Sequence, residues 1–244
     1  VDCRIINVEQ GSDEWLDLRR NRITCSRLAD VMSKPKKCAA CKGTGKLEDD
    51  KPCGACKGTG TIATKRYAQY QREKVREMLG HREQQEETPQ WAAHGKEHEP
   101  RAIGAYEWRY ELDVEHNVFL VSKKYDWLAG SPDMLHKPKF DDGLEIKCRA
   151  LYKNYKKYRD LAEKHEGTAK ACPAENRHQV QGFNMLTGFN RWGFVNYYIG
   201  SNLEGGIAQK LHRVWIPRDN DLIEQMEEAA KRFIEECYKE AGLI

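Results

Sequence analysis

The chain has 244 residues, 39% of them apolar and 32% charged, with a formal net charge of +3, enough for a real core under a heavily solvated surface. No run of about 18 apolar residues occurs, which excludes a membrane-spanning helix, and the opening VDCRIINVEQGSDEW has no secretory pattern, so a cytoplasmic protein is expected. So small a net charge identifies no partner; local clustering has to do that.

GSDEWLDLRRNR (11–22) predicts a helix opened by Ser12, with Asp13 and Glu14 favourably placed at its positive end. ITCSRLADVMS (23–33) predicts a turn into a second short helix. Residues 36–60 are rich in Lys, Gly and Cys, with almost no core-forming side chains. Helical spacing resumes over 64–79, and a polar linker covers 80–90. Residues 94–112 predict a helix with Ala102, Ala105, Tyr106 and Leu112 inward, and Pro100 fits such a helix only near its first turn. From 114 the period shortens: VEHNVFLVS, WLAGSPDML and GLEIKC predict three neighbouring strands. Two helices (150–165 and 176–188), two strands (RWGFVNYYIG and AQKLHRVWI) and an amphipathic helix (218–240) complete the chain. The order predicts a mixed α/β sheet flanked by helices, a single domain over 1–244 with a small module inserted at 38–60.

That module repeats itself. CAACKGTG (38–45) and CGACKGTG (53–60) are near-identical copies of C-x2-C-x-G-x-G. Each CxxC presents two thiolates on one knuckle, and the glycines let the backbone turn tightly around sulfur. Cys38, Cys41, Cys53 and Cys56 would form one tetrahedral S4 site, and zinc is favoured over an iron–sulfur cluster or a redox dithiol. The pattern resembles the zinc-binding repeats of DnaJ-type chaperones. Cys3, Cys25, Cys148, Cys172 and Cys237 have no ligand spacing and are expected to be buried thiols.

The second cluster is acidic. Asp133 follows Ser131-Pro132, and LEIKC places Glu145 and Lys147 on one face of a strand. Phosphodiester hydrolysis needs an activated water and neutralised charge, and divalent ions held by carboxylates supply both. An ammonium beside them can orient the water. A hairpin with its polar face in water would give the same letters. The residues alone also leave open whether Glu97 or Glu99 joins the pair.

SPD…GLEIK resembles the PD-(D/E)xK nuclease motif, here Pro132-Asp133 and Glu145-Ile146-Lys147. With EWLDLRRNRITCS, HGKEHEPRA, HQVQGFNML and RWGFVNYY in the same order, the chain resembles the lambda-type phage exonucleases, the YqaJ-like viral recombinase family, over residues 14–198. The resemblance implies a restriction-endonuclease-like fold. It implies that Glu99, Asp133, Glu145 and the Ile146 backbone carbonyl hold two Mg2+ (or Mn2+) ions, with Lys147 orienting the water. It implies that Arg19, Ser26, Ser131 and Gln179 bind a 5′-terminal phosphate, and their donor chemistry suits that task. It also implies degradation of double-stranded DNA from the 5′ end in the cytoplasm of a bacterial host, a homotrimer, and a phage single-strand annealing protein as partner. The cysteine module is a departure from the family.

Two other features bear on DNA. Tyr152, Tyr155 and Tyr158 form a stripe on the helix after Lys147, flanked by Arg149, Lys153, Lys156, Lys157, Arg159 and Lys164; the tyrosines can pack on the sheet while the cations face phosphate. An apolar wedge between the strands would fall at Ala92 by the resemblance, and Trp91 is a better one. CKGTGKLE is no P-loop, since Leu47 stands where Ser or Thr is required. Two alternative readings are a non-catalytic DNA-binding recombination adaptor and a restriction-like endonuclease.

Overall fold

The computed structural model describes residues 1–33, 35–47, 50–81, 90–201 and 207–244, with the backbone alone for 90–92 and 201. Trp91 and Ala92, singled out above, and Lys34 beside the module therefore lie outside the described side chains. Two compact units gather residues 1–28 with 83–226, and residues 29–82 with 227–244.

The chain opens with β1 (Cys3–Asn7), α1 (Asp13–Arg19) and β2 (Ile23–Thr24). Ser12 caps α1 by accepting from the Trp15 amide at 3.2 Å. Then come α2 (Leu28–Val31), β3 (Lys36–Lys37), β4 (Thr61–Ile62) and α3 (Lys65–Met78). Thr64 caps α3 and its hydroxyl lies 2.6 Å from that of Ser33, which ties the two feet of the cysteine module together. In this second unit Tyr67 and Tyr70 pack on Phe233 with ring centroids at 5.2 Å in both cases. Lys74 and Glu77 form a buried ion pair at 2.7 Å there.

The first unit continues with α4 (Gln90–Tyr110), β5 (Val114–Glu115), β6 (Val118–Ser122), β7 (Leu128–Gly130), β8 (Met134–His136) and β9 (Gly143–Arg149). After these come α5 (Tyr152–Lys164), α6 (Ala174–Thr187), β10 (Arg191–Ser201), β11 (Ile207–Pro217) and α7 (Asn220–Glu240). One sheet has the order β1-β6-β7-β2, the other β11-β10-β9-β8-β5. β9 and β10 pair in parallel, the other neighbours of the larger sheet antiparallel.

The three neighbouring strands expected from 114 to 148 are in fact five, divided between two sheets. VEHNVFLVS breaks at His116-Asn117, where Asn117 has a φ of 59°, and WLAGSPDML breaks at Ser131-Pro132-Asp133. Pro132 has no N–H to give a ladder, so the strand stops and the chain changes sheets. Asp133 thus sits at a crossover rather than in mid-strand.

The core of the larger sheet joins Ala102, Ile103 and Tyr106 of α4 to Met134, Leu144, Ile146, Val195 and Tyr197. That packing explains a second difference. Pro100 lies in the interior of α4, which begins at Gln90 and so takes in the end of the expected linker. An interior proline costs about 3 kcal/mol. Burying large apolar side chains is worth roughly 1.5–3 kcal/mol each, enough to offset that cost. Gly143 is required where it stands: a Cβ there would lie 2.1 Å from the Trp192 ring, which stacks on Phe183 at 4.6 Å. Of the five lone cysteines, Cys148 is only half-buried and the other four are buried.

Candidate active site and cysteine cluster

β8 and β9 pair Met134 with Leu144, so one step further along the register Asp133 comes opposite Glu145. The Ile146 amide donates to Asp133 Oδ2 at 2.5 Å and fixes that carboxylate. Lys147 lies two residues beyond Glu145 on the same face, and its Nζ is 2.5 Å from Glu145 Oε1. Gln179, from α6, donates to the same oxygen at 2.7 Å. Glu145 is 1% exposed, and its Oε2 is buried without a hydrogen-bond partner. A buried, unpartnered carboxylate oxygen is costly unless a cation or a proton meets it.

Glu99 is half-buried on α4 and Glu97 is exposed. Burial, then the charge of Asp133, pushes Glu99 up to about 7. Burial and Asp133 also push Glu145 up to about 8, against the pull of Lys147. Asp133 is raised by burial, opposed by Lys147 and the Ile146 amide. For Lys147 burial works against the charge, but Glu145 and Asp133 outweigh it and hold the ammonium firmly protonated. The three carboxylates therefore repel one another around a single ammonium. They are not drawn tightly together: among the described residues only the cysteines form a cluster with ligand atoms within 4.8 Å of one another. A cavity of about 440 Å3 has Glu99, Asp133, Ser131 and Lys96 in its wall.

Ser26 and Ser131 follow the ends of β2 and β7, two strands that pair in parallel, with Ser26 in a 3-10 turn over Cys25–Arg27. Thr24 opposes Ala129, and each serine lies two residues beyond its strand's member of that pair. Ser26 is exposed, with its hydroxyl 3.2 Å from that of Thr24. Arg19 stacks on the Trp15 ring at 4.3 Å, and the Trp15 indole N–H donates to Ser131 Oγ at 2.7 Å. Trp15 thus links Arg19 to Ser131, a role the sequence reading missed; a tryptophan one turn before Arg19 was the available signal. Gln179 reaches Glu145 instead of standing on the helix surface. On α5, Tyr155 is buried and Tyr152 stacks on it at 5.9 Å, while Lys153, Lys156 and Lys157 are exposed. Only the middle tyrosine of the stripe is therefore buried: Tyr152 is exposed and Tyr158 half-buried.

The cysteine module is built differently. Cys38 and Cys53 Sγ are 3.9 Å apart, Cys41 and Cys56 Sγ 3.7 Å. Four sulfurs at about 2.3 Å from a zinc ion would be spaced by about 3.8 Å. The Gly45 and Gly60 amides donate to Cys41 and Cys56 Sγ at 3.3 and 3.2 Å. Burial opposes the Cys41 thiolate, but the Gly45 and Gly43 amides and the neighbouring thiols bring it down to about 6. The four sulfurs fit a tetrahedral ion.

Carboxylates at the crossing of a mixed sheet, backed by an ExK strand, belong to a restriction-endonuclease-like fold, and the solved structures that match agree. An alkaline exonuclease from Laribacter hongkongensis superposes with a TM-score of 0.65 at 21% identity, covering 95% of both chains. The same enzyme in complex with dAMP gives 0.64 at 21% identity and 95% of both chains. A phage-related exonuclease from Haemophilus somnus gives 0.56 at 19%, over 90% of this chain and 96% of that one. Among curated proteins none matches. The YqaJ-like viral recombinase domain matches residues 52–190, more than half of the chain, and the chain belongs to that family. Among the described residues no helix is long and apolar enough to cross a membrane.

Proposed function

We propose that the protein is a metal-dependent 5′-to-3′ exonuclease of double-stranded DNA that leaves 3′ single strands for phage-type recombination. The observation that carries this reading is the buried, partnerless Oε2 of Glu145 beside Asp133 and Lys147. Glu99, Asp133, Glu145 and the Ile146 carbonyl would hold two Mg2+ or Mn2+ ions, which supply charge neutralisation at the scissile phosphate and a more acidic water. The chain's own groups do the rest. Lys147 orients the attacking water and adds positive charge where negative charge develops. Gln179 and Lys147 together fix one oxygen of Glu145, and the other, without a partner, would be the one to hold the ion. Arg19, held flat on Trp15, and the hydroxyls of Ser26 and Ser131 receive a terminal 5′ phosphate, with Gln179 at the border of the two sets. The single exonuclease domain spans 1–244, and its inserted module at 38–60 holds one structural Zn2+ on Cys38, Cys41, Cys53 and Cys56. The reading extends, on family resemblance, to a homotrimer, a single-strand annealing partner and action in the cytoplasm of a bacterial host.

Linear duplex labelled at either end, with and without a 5′ phosphate, tests this in Mg2+. Loss of the 5′ label first, faster on phosphorylated ends, is expected. Arg19→Ala should erase the preference by slowing only the phosphorylated substrate. Loss of the 3′ label first would overturn the polarity, release of internal fragments the exonuclease, and equal slowing of both substrates the phosphate pocket.

A further inference from the structure

The two halves of the cysteine module repeat in space as well as in sequence, at an offset of fifteen residues. The Cys38 amide donates to the Gly60 carbonyl and the Cys53 amide to the Gly45 carbonyl, both at 2.8 Å. Thr44 and Thr59 hydroxyls donate to the Cys41 and Cys56 carbonyls at 2.8 and 2.7 Å. The short ladder of Lys37 with Thr61 is matched by the bridge of Pro52 with Lys46. A Cβ on Gly45 would lie 2.3 Å from the Gly58 carbonyl, and one on Gly60 would lie 2.5 Å from that of Gly43, so the halves interlock through glycine alone. The module therefore has a local twofold axis.

Under that axis Lys36 corresponds to Lys51 and Lys42 to Lys57, and all four are exposed. Lys42 and Lys57 share a left-handed backbone, with φ of 52° and 51°, so their side chains leave the two knuckles in equivalent directions. Lys46 has Thr61 and Lys37 has Pro52 as its counterpart, so neither belongs to a symmetric pair of lysines. Among the described residues between Lys36 and Ile62 the buried ones are the four cysteines, Gly45 and Gly60. Leu47 and Ile62 are exposed and correspond under the same offset, so the apolar surface of the module is a pair of single side chains beside the four lysines. Duplex DNA has twofold axes that exchange its strands, which is why symmetric proteins read symmetric sites. Its phosphates carry the charge that lysines neutralise.

We propose that the zinc-loaded module is a twofold-symmetric phosphate clamp, in which Lys36 and Lys42 engage one strand of a DNA duplex and Lys51 and Lys57 the other. The proposal rests on the reading of the protein as a duplex-DNA enzyme, so the test separates the two. Duplex binding by the full-length protein is followed by fluorescence anisotropy in Ca2+ over a series of salt concentrations. Each phosphate that is no longer neutralised lowers the slope of log K against log salt by about 0.9. Lys36→Gln/Lys42→Gln and Lys51→Gln/Lys57→Gln should each lower it by roughly 2, equally, and the four together by roughly 3 to 4. The same substitutions should cost less on single-stranded DNA, which offers only one half of the clamp its phosphates. Unchanged slopes, or a loss confined to one half, would overturn the clamp. Failure of the wild-type protein to digest duplex in Mg2+, with these slopes as expected, would instead overturn the nuclease and leave the clamp standing.

Discussion

Glu99, Asp133 and Glu145 are carried by a helix, the crossover before β8 and the strand β9, elements that bury Tyr106, Met134, Leu144 and Ile146. Cys38, Cys41, Cys53 and Cys56 are brought together by two glycine-rich turns that bury little else. Both regions concentrate groups that become anions when they bind metal. The carboxylates limit their repulsion by spreading out, sharing Lys147 and holding protons; the four thiols lie within 4.8 Å of one another, and once they are thiolates an ion at their centre neutralises them. A scaffold with its own core can store that strain and offer it to a metal as binding energy. A module without a core must take its folding energy from the metal. The comparison predicts that metal withdrawal silences the first region and unfolds the second.

The largest expected effect is on the first region. Lys147→Ala should lower the hydrolysis rate by about 10²-fold or more, because stabilisation of several kcal/mol in the transition state is lost. Circular dichroism should show an unchanged fold. Near wild-type turnover would remove Lys147 from the chemistry.

The next effect belongs to the second region. Metal analysis should find about one zinc per chain, and Cys38→Ser/Cys41→Ser should lose it. Hydrogen exchange should then lose its protection at the Cys38, Cys53, Gly45 and Gly60 amides while Ile146, whose amide is bonded to Asp133, keeps its own. Protection retained in the module without metal would show that it folds on other grounds.

A smaller effect separates the regions by pH. Glu99 and Glu145 rise from 4.5 to about 7 and about 8, so the native fold holds their protons more tightly than the unfolded chain does. The stability those protons contribute is complete below 4.5 and is lost as pH rises through about 7 and 8. Metal-free protein should therefore lose melting temperature across that window, and Ca2+ should restore more of it at the alkaline end. His136 and His212, lowered from 6.5 by burial, add stability as pH rises to 6.5 and push the other way only in the lower part of that window. Glu145→Gln is the reference that removes their share: its melting temperature should fall less. Parallel curves for the two proteins would contradict the shift.

What the sequence revealed follows from range. The cysteine pattern is local, and its four ligands could be read from spacing alone. Glu145 and Lys147 could be placed on one face because a strand repeats every two residues. Asp133 was recognisable as an acid near a strand, but its crossover depends on Pro132 and on which sheet each side joins, and no local signal gives that. The strand β1 was missed because CRIIN is short and its partner, Val118–Ser122, lies far along the chain. Gln179 was assigned to a terminal phosphate by resemblance alone, and its bond to Glu145 depends on where α6 packs. Pro100 misled because local propensity excludes it from a helix interior, and the packing of Ala102 and Tyr106 overrides propensity.

The central claim is that a pocket built on an independent core performs hydrolysis with metal. Asp133→Asn tests it most directly, since the amide oxygen can still accept from Ile146 while the charge beside Glu145 and Glu99 is gone. Digestion of linear duplex in Mg2+ and thermal melting are measured on the same preparation. The account predicts a rate at least about 10²-fold lower with a melting temperature equal to or above that of the wild type. A variant that digests duplex at nearly the wild-type rate, or one that loses activity only because it no longer folds, would contradict it.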